Sequence, residues 1–268
     1  MTTLTGARSS GKRLYGTFES LLSEFGPQGW WPVVGINVSA ETTSRNLRVS
    51  AAQHPAAGLI YHPGDYSYPK TGAQRFEIVA GALLTQNTSW KNTEKALLNL
   101  HSAGKLSPEA IISAPIPELE ALIRSAGYFR QKACRLKLLS EAYLKADGDM
   151  DTESLRSHFL SVKGVGPETA DSILLYAFNR PSFVVDAYTR RFCASLMLFQ
   201  GKDYGDYRNF FQSNLPQEHE LFNEFHALIV EWGKRHPAAS TQPPAPSIQQ
   251  PAGRPGAGNR MREAARGK

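Results

Sequence analysis

LSVKGVGPETAD, residues 160–171, is the stretch whose reading decides the fold. Gly164 and Gly166 flank Val165 in a turn between two helical stretches, and Pro167 suits the first turn of the second. Two glycines let a tight turn enter positive φ and leave backbone N–H groups free. Those groups, with the helix N-terminus that follows, can cradle a phosphate oxygen. Val165 is expected to anchor the turn in the core, with Lys163 and Thr169 beside the phosphate. A Gly-x-Gly turn alone fits a plain helix–helix corner equally well. The full run from Leu160 to Ala170 is far more specific.

Working outward, apolar residues recur at helical spacing almost everywhere. Leu14, Phe18, Leu21, Leu22 and Phe25 form one stripe, and Phe76, Val79, Ala80, Leu83 and Leu84 another. A helix over 118–126 should stop at Gly127, and the next carries Leu136, Leu139 and Tyr143. Ala170, Ile173, Leu174 and Ala177 continue from the hairpin, then Tyr188, Phe192, Leu196 and Phe199. A last stripe holds Phe222, Phe225, Ile229 and Trp232. Only Phe183-Val184-Val185 reads as extended, and it is too short for a sheet. The class is all-α. Residues 61–72, YHPGDYSYPKTG, read as a coil packed by aromatics, and 41–57 as a loop or weakly ordered insert. Residues 237–268 are rich in Pro, Ala, Gly, Gln and Ser and are expected to be a disordered basic tail.

The chain has 268 residues, 41% hydrophobic and 20% charged, enough for one or two globular domains. No apolar run approaches a membrane span and no secretory signal is visible, so the expected location is the cytoplasm (nucleoid) or a nucleus. Cys134 and Cys193 make neither a disulfide framework nor a four-thiolate site, and each reads as a small core residue. The net charge of +6 suggests an acidic partner, yet +4 of it falls from Pro237 onward. Local clustering has to carry any argument for nucleic acid.

That clustering comes with a resemblance. LSVKGVGPETADSILLYAFNRPSFVVDAYTRRF (160–192) resembles the hairpin-to-aspartate segment of the endonuclease III, or helix-hairpin-helix, superfamily of DNA glycosylases. GALLTQNTSWKNTEKAL (81–97) resembles its early helix–turn element, AGYFRQKACRL (126–136) its basic helix start, and GPQGWWPVV (26–34) a further match. The order and spacing agree over roughly 75–232. The resemblance implies a two-lobed all-α fold over 13–236, with double-stranded DNA and a flipped base between the lobes. One lobe would span about 90–200, and the other 13–89 plus 201–236.

Asp186, in VVDAYTRR, precedes a helical stripe and reads as an N-cap, a position that also presents a fixed carboxylate. Breaking a glycosidic bond passes through an oxocarbenium-like state, which a carboxylate near C1′ stabilises while it orients the water. The resemblance puts Asp186 in that role. Strand-cutting members carry a lysine eighteen residues earlier; here that residue is Glu168, which cannot form a Schiff base. A monofunctional glycosylase is therefore expected. Many members also end in a four-cysteine loop for an iron–sulfur cluster, but no Cys follows Cys193. No cofactor is expected beyond, at most, a monovalent cation at the hairpin.

Lacking both lysine and cluster, and carrying WWP and LTQNT, the chain is similar to the 3-methyladenine DNA glycosylase branch. That likeness implies a base stacked between Trp31 and Pro32 on one side and Trp90 on the other, with Trp30 adjacent. Electron-rich indole faces suit a cationic alkylpurine. The branch's late-helix pocket lysine is matched here by Leu228, a departure that bears on substrate range. Gln86 and Asn87 resemble the plug that fills the space of a flipped base. Arg124, Arg130, Lys132, Arg135 and Lys137 come without an acidic neighbour and suggest a face tracking phosphates. A monomer excising damaged bases is the reading; a glycosylase for an oxidised pyrimidine or mismatch, or an inactive DNA-binding module, are its rivals.

Overall fold

The computed structural model describes residues 3–36 and 57–237, with side chains over 11–35 and 58–237. The 41–57 insert and the basic tail therefore fall, but for Ala57 and Pro237, outside the described residues. Residues up to Pro237 form a compact unit of their own.

The expected helices form. Leu14, Phe18 and Leu21 bury one face of α1 (Thr3–Phe25). Thr71 caps α2 (Gly72–Leu84), its hydroxyl accepting from the Gln74 N–H, and α2 is buried from Phe76 to Leu84. There follow α3 (Trp90–Ser102), α4 (Pro108–Ser113), α5 (Ile116–Leu122) and α6 (Phe129–Lys145). The helix expected over 118–126 tightens instead into a 3-10 turn at Arg124–Ala126, and Gly127 ends it at φ +68°. Asp151 caps α7 (Thr152–Leu160); α8 (Pro167–Ser172) widens into a π-helical turn at Ile173–Ala177. The last three are α9 (Ala187–Ser195), α10 (Tyr204–Asn214) and α11 (His219–Arg235). Helix α9 stops before Phe199, which packs from the following loop by stacking on Phe210 at 4.5 Å.

Two short strands were not expected. β1 (Val33–Ile36) pairs antiparallel with β2 (Ala57–Ile60), Val33 opposite Ile60, and the ribbon lies against α2 and α3. Phe183-Val184-Val185 is extended without a strand partner. Two of its N–H groups are met by side chains instead, Phe183 donating to Gln212 Oε1 and Val185 to the Tyr204 hydroxyl.

Helices α2 to α8 pack on one another, while α1, α9, α10 and α11 form a second group; the π turn touches both α2 and α11. The division thus runs before α2 and at Asp186, not at residues 90 and 201, because α2 packs on α3 and α6 and α9 packs on α11. A buried ionic knot fastens the hairpin helix across this line. Asp171, fully buried on α8, accepts from Arg156 of α7 at 2.7 and 3.0 Å and from Ser182 Oγ, with Arg208 of α10 at 3.5 Å. Breaking such a knot by removing one partner leaves an uncompensated charge, at a cost of roughly 3–5 kcal/mol.

Candidate active site

Asp186 sits where the extended segment turns into α9. It is the N-cap, as expected: Oδ1 accepts from the Thr189 N–H at 2.7 Å and from Thr189 Oγ1 at 3.0 Å, while Thr189 Oγ1 accepts from the Asp186 N–H at 3.4 Å and so completes a capping box. Its other oxygen, Oδ2, is 3.7 Å from His226 Nε2 on α11. His226 Nδ1 in turn lies 2.6 Å from the hydroxyl of Tyr176 in the π turn. Burial pushes the Asp186 carboxyl up, but the facing His226 and the Thr189 bonds hold it below the usual carboxylate value. Glu168, on α8, moves the other way: desolvation and the negative charge of Asp186 raise it.

A cavity of about 280 Å³ opens over this carboxylate. Trp30, Trp31 and Trp90 line it together with Glu168, Asp186 and His226. Gly81 on α2 lets the Trp31 indole approach closely; a Cβ there would stand 3.1 Å from the ring and push it back by a few tenths of an ångström. The three rings meet edge to face rather than as a parallel slot: Trp31 and Trp90 are 5.2 Å apart at 83°, Trp30 and Trp90 4.8 Å apart at 62°. That arrangement, favoured by the ring quadrupoles, corrects the expected sandwich. Pro32 is buried and is not part of the cavity wall. Leu228 is fully buried in the core; the lysine near the cavity is Lys234, 5.8 Å above the Trp30 ring.

Around the hairpin the side chains depart further from what the sequence suggests. Gly164 takes the positive φ, +94°, and a Cβ would run into the Arg135 side chain. Gly166 does not; at φ −93° it is the extended N-cap of α8. Val165 is buried as expected, and Lys163 and Arg130 are exposed and free to meet phosphates. Thr169 is not: its hydroxyl is buried and accepts from Gln86 Nε2 at 2.8 Å. The same amide donates to Gly164 O at 3.0 Å, so Gln86 braces the hairpin and leaves Asn87 as the exposed residue of the pair, at φ +51°.

Lys132 faces inward, not toward DNA. It is 2% exposed, and its ammonium donates to the carbonyls of Leu84, Gln86 and Ala126 at 2.9, 2.8 and 2.7 Å. Desolvation pushes its pKa down to about 8. It therefore clamps two turns together from inside. One carries Asn87; the other carries Tyr128, 68% exposed at φ +46°. Lys137 likewise turns inward, to Ile112 O, which leaves Arg124, Arg130 and the half-buried Arg135 as the outward charges of the expected basic face.

His226, Tyr176 and Lys234 were missed by sequence reasoning, as was Glu224. The signal for His226 was present, since a polar residue one helical turn after Phe222 on an apolar stripe asks for a reason.

Comparison with known proteins fixes the class. Residues 80–217 match the HhH-GPD superfamily base excision DNA repair protein family, and the chain belongs to that family of DNA glycosylases. A chain named as a DNA repair glycosylase in Methanocaldococcus jannaschii is 38% identical over 231 residues, 83% of this chain and 87% of that one. Endonuclease III of Thermotoga maritima is 28% identical over 160 residues, 60% of this chain and 73% of its own. Among solved structures, the H. pylori 3-methyladenine DNA glycosylase bound to 1,N6-ethenoadenine superposes with a TM-score of 0.54 at 30% identity, covering 61% of this chain and 86% of that chain. A trapped endonuclease III–DNA covalent intermediate shares the fold, with a TM-score of 0.58 at 18% identity over 88% of this chain and 92% of the other.

Proposed function

We propose that this DNA glycosylase is monofunctional and removes an alkylated purine flipped out of duplex DNA. The observation that carries the reading is the cavity itself. Three indoles stand beside the half-buried Asp186 carboxylate in one cavity of about 280 Å³. Asp186 stabilises the developing oxocarbenium ion and orients the water. Glu168 stands where strand-cutting relatives carry lysine, so no Schiff base forms and the product is an intact abasic site. The chemistry needs no iron–sulfur cluster. Lys163 and Arg130, with the hairpin amides, hold the backbone of double-stranded DNA, while Asn87 enters the space the base has left.

A neutral lesion is the second reading. Lys234 already lies over the Trp30 face, and its charge disfavours a cationic base in the same place. The deciding experiment is a panel of single-lesion duplexes carrying 3-methyladenine, hypoxanthine, an oxidised pyrimidine or a thymine mismatch, with alkali to reveal abasic sites. Asp186→Asn should lower release at least about 100-fold, the scale of one lost electrostatic stabiliser, with duplex binding kept. Release of the oxidised pyrimidine alone would overturn the purine assignment, and near-wild-type release by Asp186→Asn would remove that residue from the mechanism.

A further inference from the structure

Tyr176 is buried, and burial holds its phenol well above the ordinary value, so it keeps its proton at any physiological pH. That proton needs an acceptor, and at 2.6 Å it meets His226 Nδ1. An Nδ1 that accepts is bare, which leaves the imidazole neutral with its one proton on Nε2. Nε2 is itself buried without a hydrogen-bond partner and faces Asp186 Oδ2 at 3.7 Å. This is longer than a formed hydrogen bond, and such contacts tighten when charge develops in a reaction. Both Thr189 bonds go to Oδ1. Each carboxylate oxygen therefore has its own neighbour, and neither neighbour can exchange for the other.

We propose that His226, its tautomer set by Tyr176, is a positioning residue that steadies Oδ2 of Asp186 as the oxygen turned toward the sugar–base bond. The inference rests on Asp186 being the catalytic carboxylate. It explains why two polar side chains are kept in a buried position between the π turn and α11, where apolar groups would pack at lower cost. It also explains how a carboxylate this deeply placed stays ionised. Desolvation opposes the charge; His226 and Thr189 more than offset it. The other charged groups nearby are Glu168 on α8, Glu224 and Lys234 on α11, and Arg190 on α9. Glu168 and Glu224 are negative and cannot stabilise the Asp186 charge. Arg190 and Lys234 are cationic but are not among the groups that lower the Asp186 carboxyl; a neutral His226 offers it an Nε2–H directed at Oδ2.

Two measurements test this. Side-chain nitrogen shifts of His226 in the intact protein should report a bare Nδ1 and a protonated Nε2, and Tyr176→Phe should abolish that preference; an Nδ1-protonated ring or an imidazolium in the wild type overturns the proposal. Single-turnover base release against pH, on whichever lesion of the panel is excised, gives the second. Removing His226 takes away an influence that lowers the Asp186 pKa, so the acid limb should move to higher pH. A shift of at least about one unit is expected for His226→Leu, less for Tyr176→Phe, with His226→Gln recovering part through its amide N–H. If His226→Leu does not fold, the Gln and Phe variants decide. Unmoved acid limbs in the folded variants, beside an inactive Asp186→Asn, overturn this inference alone. Release by Asp186→Asn overturns the reading beneath it.

Discussion

Glu224, on α11, accepts a hydrogen bond from the backbone nitrogen of Gln28 at 2.7 Å. Its second oxygen accepts from the Tyr66 hydroxyl at 2.8 Å. One buried carboxylate thus fastens the segment leading into Trp30 and Trp31, and the aromatic coil of residues 61–72, to the helix that carries His226. Glu224→Ala leaves two donors unmet, each worth about 1–3 kcal/mol. The expected outcome is slower excision in single turnover with unchanged affinity for undamaged duplex. Equal loss of both would show that the whole fold, not the indole wall, depends on Glu224.

Lys132 and Lys163 should separate cleanly. Lys132→Met leaves carbonyls without a donor and should lower stability in urea melts by about 1–3 kcal/mol. Lys163→Ala, at an exposed position, should change stability by no more than about 0.5 kcal/mol, while reducing the salt slope of duplex binding by about one. A stable Lys132→Met variant with weakened salt dependence would restore the phosphate-contact reading.

Glu77 makes a pH-dependent contribution. It is buried on α2, accepts from the Val34 N–H at 2.6 Å, and burial pushes its carboxyl from the ordinary 4.5 up to about 7. Between those values the folded state binds the proton more tightly than the unfolded chain. The associated stability is full below the ordinary value and is lost as pH rises through about 7. Glu77→Gln should therefore melt higher than wild type at pH 8, by roughly 1–3 kcal/mol, and the gap should close at pH 5. A constant gap across that range would rule out titration of Glu77 as its source.

Trp90 offers the clean test of the pocket, since Trp31 is also core and its removal would unfold part of the wall. Trp90→Ala should remove about 1–3 kcal/mol of base stacking, and Trp90→Phe much less. Comparing 3-methyladenine with hypoxanthine then reads the cation–π contribution directly. Equal losses on both would mean that the ring serves shape alone.

Strand cutting should be absent. The wild-type enzyme should leave abasic sites that break only with alkali, and borohydride should trap no adduct. A covalent adduct in the wild type would sink the monofunctional reading. Glu168→Lys gaining an adduct would confirm that residue 168 faces C1′.

Legibility in the sequence followed how local each demand is. The hairpin, the N-cap at Asp186 and the helical stripes are set within a few residues, so spacing alone reveals them. The β1–β2 ribbon pairs Val33 with Ile60 across a long connection, and nothing in VVGI or AGLI names its partner. Lys132 misled because its charge suggested solvent, although it lies one helical turn before Leu136 on the buried stripe of α6. The amides and hydroxyls of Gln86 and Thr169 were assigned to DNA because residue type cannot say which partner an amide takes. Glu224 and Tyr66 are far apart in sequence, and only the packed fold brings them together.

Three of the protein's four tryptophans meet at the cavity, their rings in mutual contact. The fourth, Trp232, lies against Phe192 and His236. Indole emission responds to whatever touches the ring, so the molecule carries an optical gauge of its own. Three of the four indoles stand where the cavity's occupant would touch them, and Trp232 does not line it. A nucleobase entering the proposed pocket should therefore change the emission of the unlabelled protein.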